Sequence, residues 1–175
     1  MAQRRFHYEQ AFEHYLRANR VPYIAVDEAK KALLPSGDPL DAIKSFDFVV
    51  YGRHCNLLVD VKGRMFGTAR GPLTSNRRYE SWVTVDDVDG LARWQRLFGP
   101  DFEAVFVFIY CLRQQPPDAL FDEVFSYGDR WYALREAPLA AYRRSMIPRS
   151  RRWQTVHVPS AAFQRISRPF SVRSK

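Results

Sequence analysis

A chain of 175 residues with 46% hydrophobic and 15% aromatic residues can build one folded domain and excludes wholesale disorder. It carries 27 Lys and Arg against 19 Asp and Glu, a net charge of +8, so polyanions attract it: nucleic acid first, an anionic membrane surface next, with solubility alone as the plain alternative. The longest apolar run, Val105 to Leu112, is far too short to cross a bilayer.

In chain order, "MAQRRFHYEQ" lacks the apolar stretch of a secretory signal. Phe6, Tyr8, Phe12, Tyr15 and Leu16 recur at helical spacing and predict an amphipathic helix over 5–19. "RVPYIAV" reads as a strand, and "DEAKKALLPSGDPLDAIK" as a polar connector. Strands follow over 45–51 and 56–62, with Arg53-His54 at the tip of a hairpin. "GRMFGTARGPLTSNRRYESW" reads as a mobile basic loop. "TVDDVDGLARWQRLFG" reads as a helix capped by Thr84 with Asp87 three residues on and Gly99 after its end. "EAVFVFIYCL" is a buried strand, "QQPPDALFDE" a loop, and "VFSYGDRWYALR" a hairpin turning at Gly128-Asp129. "PLAAYRRSM" is a short helix, "RWQTVHV" a strand, and "SAAFQRI" a last helix capped by Ser160. This order predicts an α/β sandwich with a central mixed sheet, as a single domain over 1–175. Cys55 and Cys111 lie far apart without a C-x-x-C pattern. They argue for a reducing cytoplasm and against a disulfide framework or a zinc site.

Three charged residues interrupt the two apolar strands at 45–62: Asp47, Asp60 and Lys62. Side chains alternate faces along a strand, so Asp60 and Lys62 share a face. Pairing 52 with 55 runs down the ladder to 49 with 58 and sets Asp47 opposite Asp60. Opposed like charges are destabilising unless compensated, and a divalent cation compensates carboxylates well. The alternative is an exposed edge strand, with Asp47 capping a turn.

"FDFVVYGRHCNLLVDVKGR" resembles the catalytic hairpin of the PD-(D/E)XK nuclease superfamily, an Asp on one strand followed by an acid-x-Lys on the next. Asp47 stands as the first Asp, "DVK" as the D-x-K, and Phe46 replaces the Pro that often precedes the first Asp. "HYEQAFEHYLRANRVPYIAV" resembles the preceding helix and strand of archaeal Holliday-junction resolvases. Glu9 matches that helix's metal-facing Glu, with Glu13 in reserve one turn on. "DGLARWQRLFG" then "EAVFVFIYC" resembles the next core element, where Gln95 would support the site. The resemblance spans about 5–112 and leaves 113–175 as a basic αβ extension. It implies a restriction-endonuclease-like fold and a catalytic set of Glu9, Asp47, Asp60 and Lys62. It also implies Mg²⁺ or Mn²⁺ on Asp47, Asp60 and Glu9, and hydrolysis of phosphodiesters in DNA rather than RNA. Many such nucleases pair as homodimers, although no interface is legible here.

Hydrolysing a phosphodiester needs an activated water and relief of the charge that builds on phosphate. A bound divalent ion supplies both, and Lys62 can orient the water or meet the transition-state charge. Candidate phosphate contacts are Arg64, Arg70, Arg77 and Arg78 around the basic loop, and Arg143, Arg144, Arg149, Arg151 and Arg152 beside Tyr142 and Trp153. Trp153 either packs into the core or stands exposed to stack a base. His7 and His14 are surface or core histidines before they are a metal pair. Asp86, Asp87 and Asp89 lack the Gly and terminal Glu of a calcium loop and suit a helix N-terminus. Two further readings stay open: a non-catalytic nucleic-acid-binding module on the same fold, and a basic interaction protein with its strand carboxylates in solvent.

Overall fold

The computed structural model describes residues 3–26, 43–52, 55–66, 79–113 and 124–170. The expected connector over 27–42, the Arg53-His54 tip, most of the basic loop (67–78) and the loop over 114–123 lie outside the described residues. The elements begin with α1 (Gln3–Ala18), β1 (Tyr23–Ala25), β2 (Phe48–Val50), β3 (Asn56–Met65), β4 (Val83–Thr84), α2 (Val85–Phe98) and β5 (Phe102–Leu112). There follow β6 (Val124–Tyr127), β7 (Arg130–Pro138), α3 (Leu139–Ser145), β8 (Ile147–Ser150), β9 (Thr155–His157), α4 (Ser160–Ile166) and β10 (Arg168–Pro169).

The main sheet has seven strands in the order β1-β2-β3-β5-β7-β10, with β6 also on β7. Among the described residues only β3 and β5 run parallel in this sheet; its other pairs are antiparallel. A parallel pair needs a crossover, and α2 lies within it. A second, three-stranded sheet has the order β4-β9-β8. The fold is thus the mixed α/β sandwich that the element order predicts, with helices on both faces of a central sheet.

Strand alternation sorts the core into two layers. On one face Phe12, Tyr15 and Leu16 of α1 pack on Phe48, Val50, Val59, Val105 and Val107. On the other face Leu58, Phe106, Phe108 and Tyr110 meet Val88 and Leu91 of α2, Tyr142 of α3 and Phe163 of α4. The chain's last third supplies half of this architecture, because β7 pairs with β5 from Val105↔Pro138 to Leu112↔Trp131. The segment before β4 is clamped by side chains: Tyr142 donates to the Ser81 carbonyl at 2.5 Å, and Ser81 Oγ donates to the Val158 carbonyl at 2.9 Å.

Three local readings are corrected. The helix α4 is not capped by Ser160; the cap position is Pro159 and no side chain bonds the first turn. Only Thr155–His157 of "RWQTVHV" is strand, because 151–154 forms a turn with Gln154 at φ 45°. Arg64 belongs to β3, which runs to Met65, and not to the loop. The capping box of α2 is present: the Asp87 amide donates to Thr84 Oγ1 at 3.1 Å, and the Thr84 amide to Asp87 Oδ2 at 2.8 Å.

Gly63 follows the D-x-K directly, and a Cβ there would lie 2.1 Å from Tyr8 Cδ2. The bare backbone is what lets α1 rest its Tyr8 ring on β3. An aromatic ring this close cannot swing aside as a flexible chain end would, and overpacking costs about 1–3 kcal/mol. Gly63→Ala should therefore lower the Tm by about 5 °C in a thermal melt; an unchanged Tm would mean that α1 does not sit on this strand as described.

Candidate functional site

The site forms where β2 and β3 part. The ladder is regular from Phe48↔Val59 to Val50↔Leu57, the pairing expected from the hairpin. At Asp47 it forks. The Asp47 amide donates to the Val59 carbonyl at 2.9 Å, while its own carbonyl accepts from the Val26 amide at 2.8 Å. One residue thus serves both neighbouring strands. Its side chain closes the gap: Asp47 Oδ2 accepts from the Val61 amide at 2.6 Å. Simple alternation placed Asp47 within a strand facing Asp60; instead Asp47 sits one residue before β2, with its carboxylate tied to the residue after Asp60.

Asp60 and Lys62 share a face with Leu58, over an apolar floor. They pair in register with Phe106 and Phe108, both fully buried, and Lys62 Nζ is 5.9 Å from the Phe106 ring centroid. Only 5% of Asp60 and 9% of Lys62 is exposed. Charges this deep are retained only when paired. Lys62 Nζ lies 2.8 Å from Asp60 Oδ1 and 3.1 Å from Asp87 Oδ1. Lys44 reaches the same Asp87 oxygen, and also Thr84 Oγ1 at 3.5 Å. Asp87 Oδ1 thus faces two ammonium groups at once.

Asp87 is the residue that sequence reasoning missed. The Thr84–Asp87 spacing announced a cap, and the cap is real, but the other carboxylate oxygen has a second task that no local spacing reveals. Lys44 is brought over by close packing. Trp94 Nε1 donates to the Lys44 carbonyl at 2.9 Å, and a Cβ on Gly90 would stand 3.0 Å from that same oxygen.

The cluster's electrostatics are uneven. Burial pushes the Asp60 carboxyl up, and the charges of Asp47 and Asp87 add to it against the pull of Lys62, for a pKa of about 7. Burial alone would raise Asp87 as well; the Lys62 charge, the Lys44 bond and the Thr84 amide outweigh it and hold Asp87 below the usual carboxylate range. Burial loosens the proton on Lys62, but the two carboxylates more than reverse this, so Lys62 is protonated beyond its ordinary value. The two carboxylates thus favour the charged form of Lys62. Asp60 is the member whose charge is least secure.

The other candidate residues are distributed as follows. Glu9 is half-buried on α1, the helix that packs on the opposite sheet face from Lys62. Glu13 accepts from Arg17 at 2.8 Å and from the Tyr23 hydroxyl at 2.7 Å, which commits it to the start of β1. Gln95 Oε1 accepts from the Ala104 amide at 3.2 Å, so it ties α2 to β5, beside a hollow that Arg96 and Arg143 also line. His7 lies 3.1 Å from the Tyr132 hydroxyl, and His14 faces the Tyr127 ring at 5.1 Å; they do not form a pair. Among the described residues no three His, Cys, Asp or Glu side chains are grouped to hold a metal ion. A cation here would rest on Asp47 and Asp60, with further oxygens from water or phosphate. Mg²⁺ takes such a complement, so the residues fit it.

Arg64 is not a loop cation. Its guanidinium donates to the Gly63 carbonyl at 2.7 Å and to the Trp82 carbonyl, and lies 3.9 Å from the Trp82 ring centroid. Arg143 and Arg144 on α3, and Arg149, Arg151 and Arg152 around β8, are exposed. Arg70, Arg77 and Arg78 lie outside the described residues. Trp153 is exposed, and so are Asp86 and Asp89 at the start of α2.

Two substitutions in the cluster should act with opposite sign. Between about pH 4 and 7 folded Asp60 holds a proton that the unfolded chain has lost, so its contribution to the stability of the metal-free protein falls as pH rises through 7. The Tm of Asp60→Asn relative to wild type should therefore climb from pH 5 to pH 8.5. Asp87 is depressed, so its contribution is present above about pH 4 and lost below it. Asp87→Asn should destabilise at neutral pH by about 3 kcal/mol, and the difference should shrink in acid. Melts of the three proteins across pH in EDTA read both; a Tm gap for Asp60→Asn that does not move with pH would remove Asp60 as the strained member.

No family model matches the chain, and no curated protein matches it significantly. Among solved structures it is similar to Hjc of Archaeoglobus fulgidus, a Holliday junction resolvase from an archaeal hyperthermophile. The TM-score is 0.51 at 15% identity, over 94% of this chain and 90% of that one. The likeness establishes the fold: a central mixed sheet with flanking helices in the arrangement of this nuclease.

Proposed function

We propose that the protein is a divalent-metal-dependent nuclease that hydrolyses phosphodiester bonds in DNA. The observation that carries this is the meeting of Asp47, Asp60 and Lys62 at the fork between β2 and β3, two carboxylates and a cation over an aromatic floor. A fold shared with a protein described as a Holliday junction resolvase supports DNA as the polymer. The excess of basic over acidic residues supports a polyanionic substrate. Among the described residues no helix is long and apolar enough to cross a membrane.

Asp47 and Asp60 would hold Mg²⁺ or Mn²⁺. Such an ion acidifies a bound water and neutralises a phosphate oxygen. The Val61 amide fixes the Asp47 carboxylate. Lys62, kept cationic by Asp60 and Asp87, meets the charge that builds on phosphate or aims the attacking water. Asp87 positions Lys62. The exposed arginines, Arg143, Arg144, Arg149, Arg151 and Arg152, supply phosphate contacts that set the strand in place; Arg70, Arg77 and Arg78 are proposed to add to them.

A second reading has its own support. Lys62 is already paired with Asp60, and Glu9 stands on α1 across the sheet. A nucleic-acid-binding module whose site no longer turns over would look like this. Incubation with supercoiled plasmid separates the two. The nuclease reading expects nicked or linear product with Mg²⁺ or Mn²⁺ and none in EDTA. It expects Lys62→Ala to slow single-turnover cutting by about 10²-fold, if one aligned donor is worth roughly 3 kcal/mol, with DNA affinity almost unchanged. Binding without any metal-dependent cutting would transfer the protein to the second reading.

A further inference from the structure

We propose that the turn over 151–154 is a stacking platform for an unpaired base, which sets a single-stranded segment of nucleic acid beside the Asp60–Lys62–Asp87 cluster. Trp153 at its tip is 69% exposed, whereas Trp82, Trp94 and Trp131 are half-buried. Tryptophan is highly buried on average, so an indole held out in water calls for a partner.

The turn is held in shape. The Trp153 amide donates to Ser150 Oγ at 3.3 Å, and the Gln154 amide to the Arg151 carbonyl at 3.3 Å. The Gln154 carbonyl accepts from the Val85 amide at 2.9 Å. That last bond fastens the turn to the first residue of α2. Two residues further along α2, Asp87 grips Lys62. The platform and the charge cluster are therefore mounted on the same helical turn.

Charge selects the class of partner. From Leu139 to Lys175 the chain has eight Arg and one Lys and no Asp or Glu. The Arg152 guanidinium is 5.3 Å from the Trp153 ring centroid, and the Arg149 guanidinium is 5.1 Å from that of Trp82. Guanidinium groups alternating with aromatic faces suit a chain that alternates phosphates with bases. An indole can stack only on a base whose face is uncovered. In a duplex each interior base is covered by its neighbours, so the partner carries a single strand or a flap.

The inference rests on the nuclease reading only for what lies next to the platform. Its test is therefore binding in EDTA with the full chain, where no cleavage enters. The probes are a 12-nucleotide oligo(dT), a blunt duplex of 12 base pairs and an abasic chain of 12 phosphodiesters, read by anisotropy and by tryptophan emission. Oligo(dT) should quench the emission of wild type. Trp153→Ala should weaken oligo(dT) binding about tenfold, the share of one stacked base. It should leave duplex and abasic-chain affinities within about twofold and the Tm unchanged. Trp153→Phe should restore most of the loss. Equal loss for oligo(dT) and the abasic chain, or no loss at all, would overturn the platform, as would full affinity of the duplex with the same dependence on Trp153. The plasmid assay answers separately: absence of cutting bears on the nuclease reading and leaves the binding result standing.

Discussion

Lys62 shared between Asp60 and Asp87 is the interaction on which the rest depends. It joins the central strand β3 to the first turn of α2, and so joins the parallel strand pair to its crossover. Two charged side chains of β3, Asp60 and Lys62, occupy places where its alternation would otherwise call for apolar residues, and Asp87 of α2 meets them there. Replacing such a group with packed hydrocarbon is often neutral or stabilising, so stability alone does not account for it. Removing Lys62 or Asp87 leaves buried charge uncompensated, which makes the cluster strict once it exists. The imbalance within it is the chemically useful part. Lys62 and Asp87 hold their charges firmly, while Asp60 is pressed by burial and by the charges of Asp47 and Asp87. A divalent cation near Asp60 would relieve that pressure.

Much of this was legible from the residues. The periodicity of Phe12, Tyr15 and Leu16 gave α1. The Thr84–Asp87 spacing gave the cap of α2, and the unbroken run from Val105 gave the buried strand β5. Asp60 and Lys62 stood out because charge inside an apolar strand has to be accounted for. What the sequence did not contain was tertiary. Nothing local said that Asp47 would leave its strand to bond the Val61 amide, or that the cap residue Asp87 would turn its second oxygen to Lys62. Arg64 looked like a loop residue because Gly63 and Gly67 suggested an early end to β3; pairing with β5 carries the strand on to Met65. The resemblance ended near residue 112, so the last third read as an appendix, yet β7 forms eight pairs with β5. Strand partners separated by a long loop leave no periodic trace, and only the assembled sheet reveals them.

The two faces of the sheet divide the work. The α1 face is almost wholly packing, closed by Phe12 against Phe48 and Phe170. The other face carries the charge cluster at the open end of β3. Beside it stand the first turn of α2 and Thr84 of the small sheet. Glu9 stands on α1, the helix of the first face, and a cation at the fork would draw on Asp47, Asp60 and the oxygens of substrate and solvent. Metal affinity and substrate binding would then be coupled, because phosphate completes the shell.

The central claim is that Asp60 is held in strain that a divalent ion relieves. Carbon-13 NMR of the side-chain carboxyl of Asp60, followed against pH with and without Mg²⁺ and assigned through Asp60→Asn, tests it most directly. Asp60 should titrate near 7 in the metal-free protein and shift clearly downward when Mg²⁺ is added. An Asp60 that titrates near 4 and ignores Mg²⁺ would contradict it.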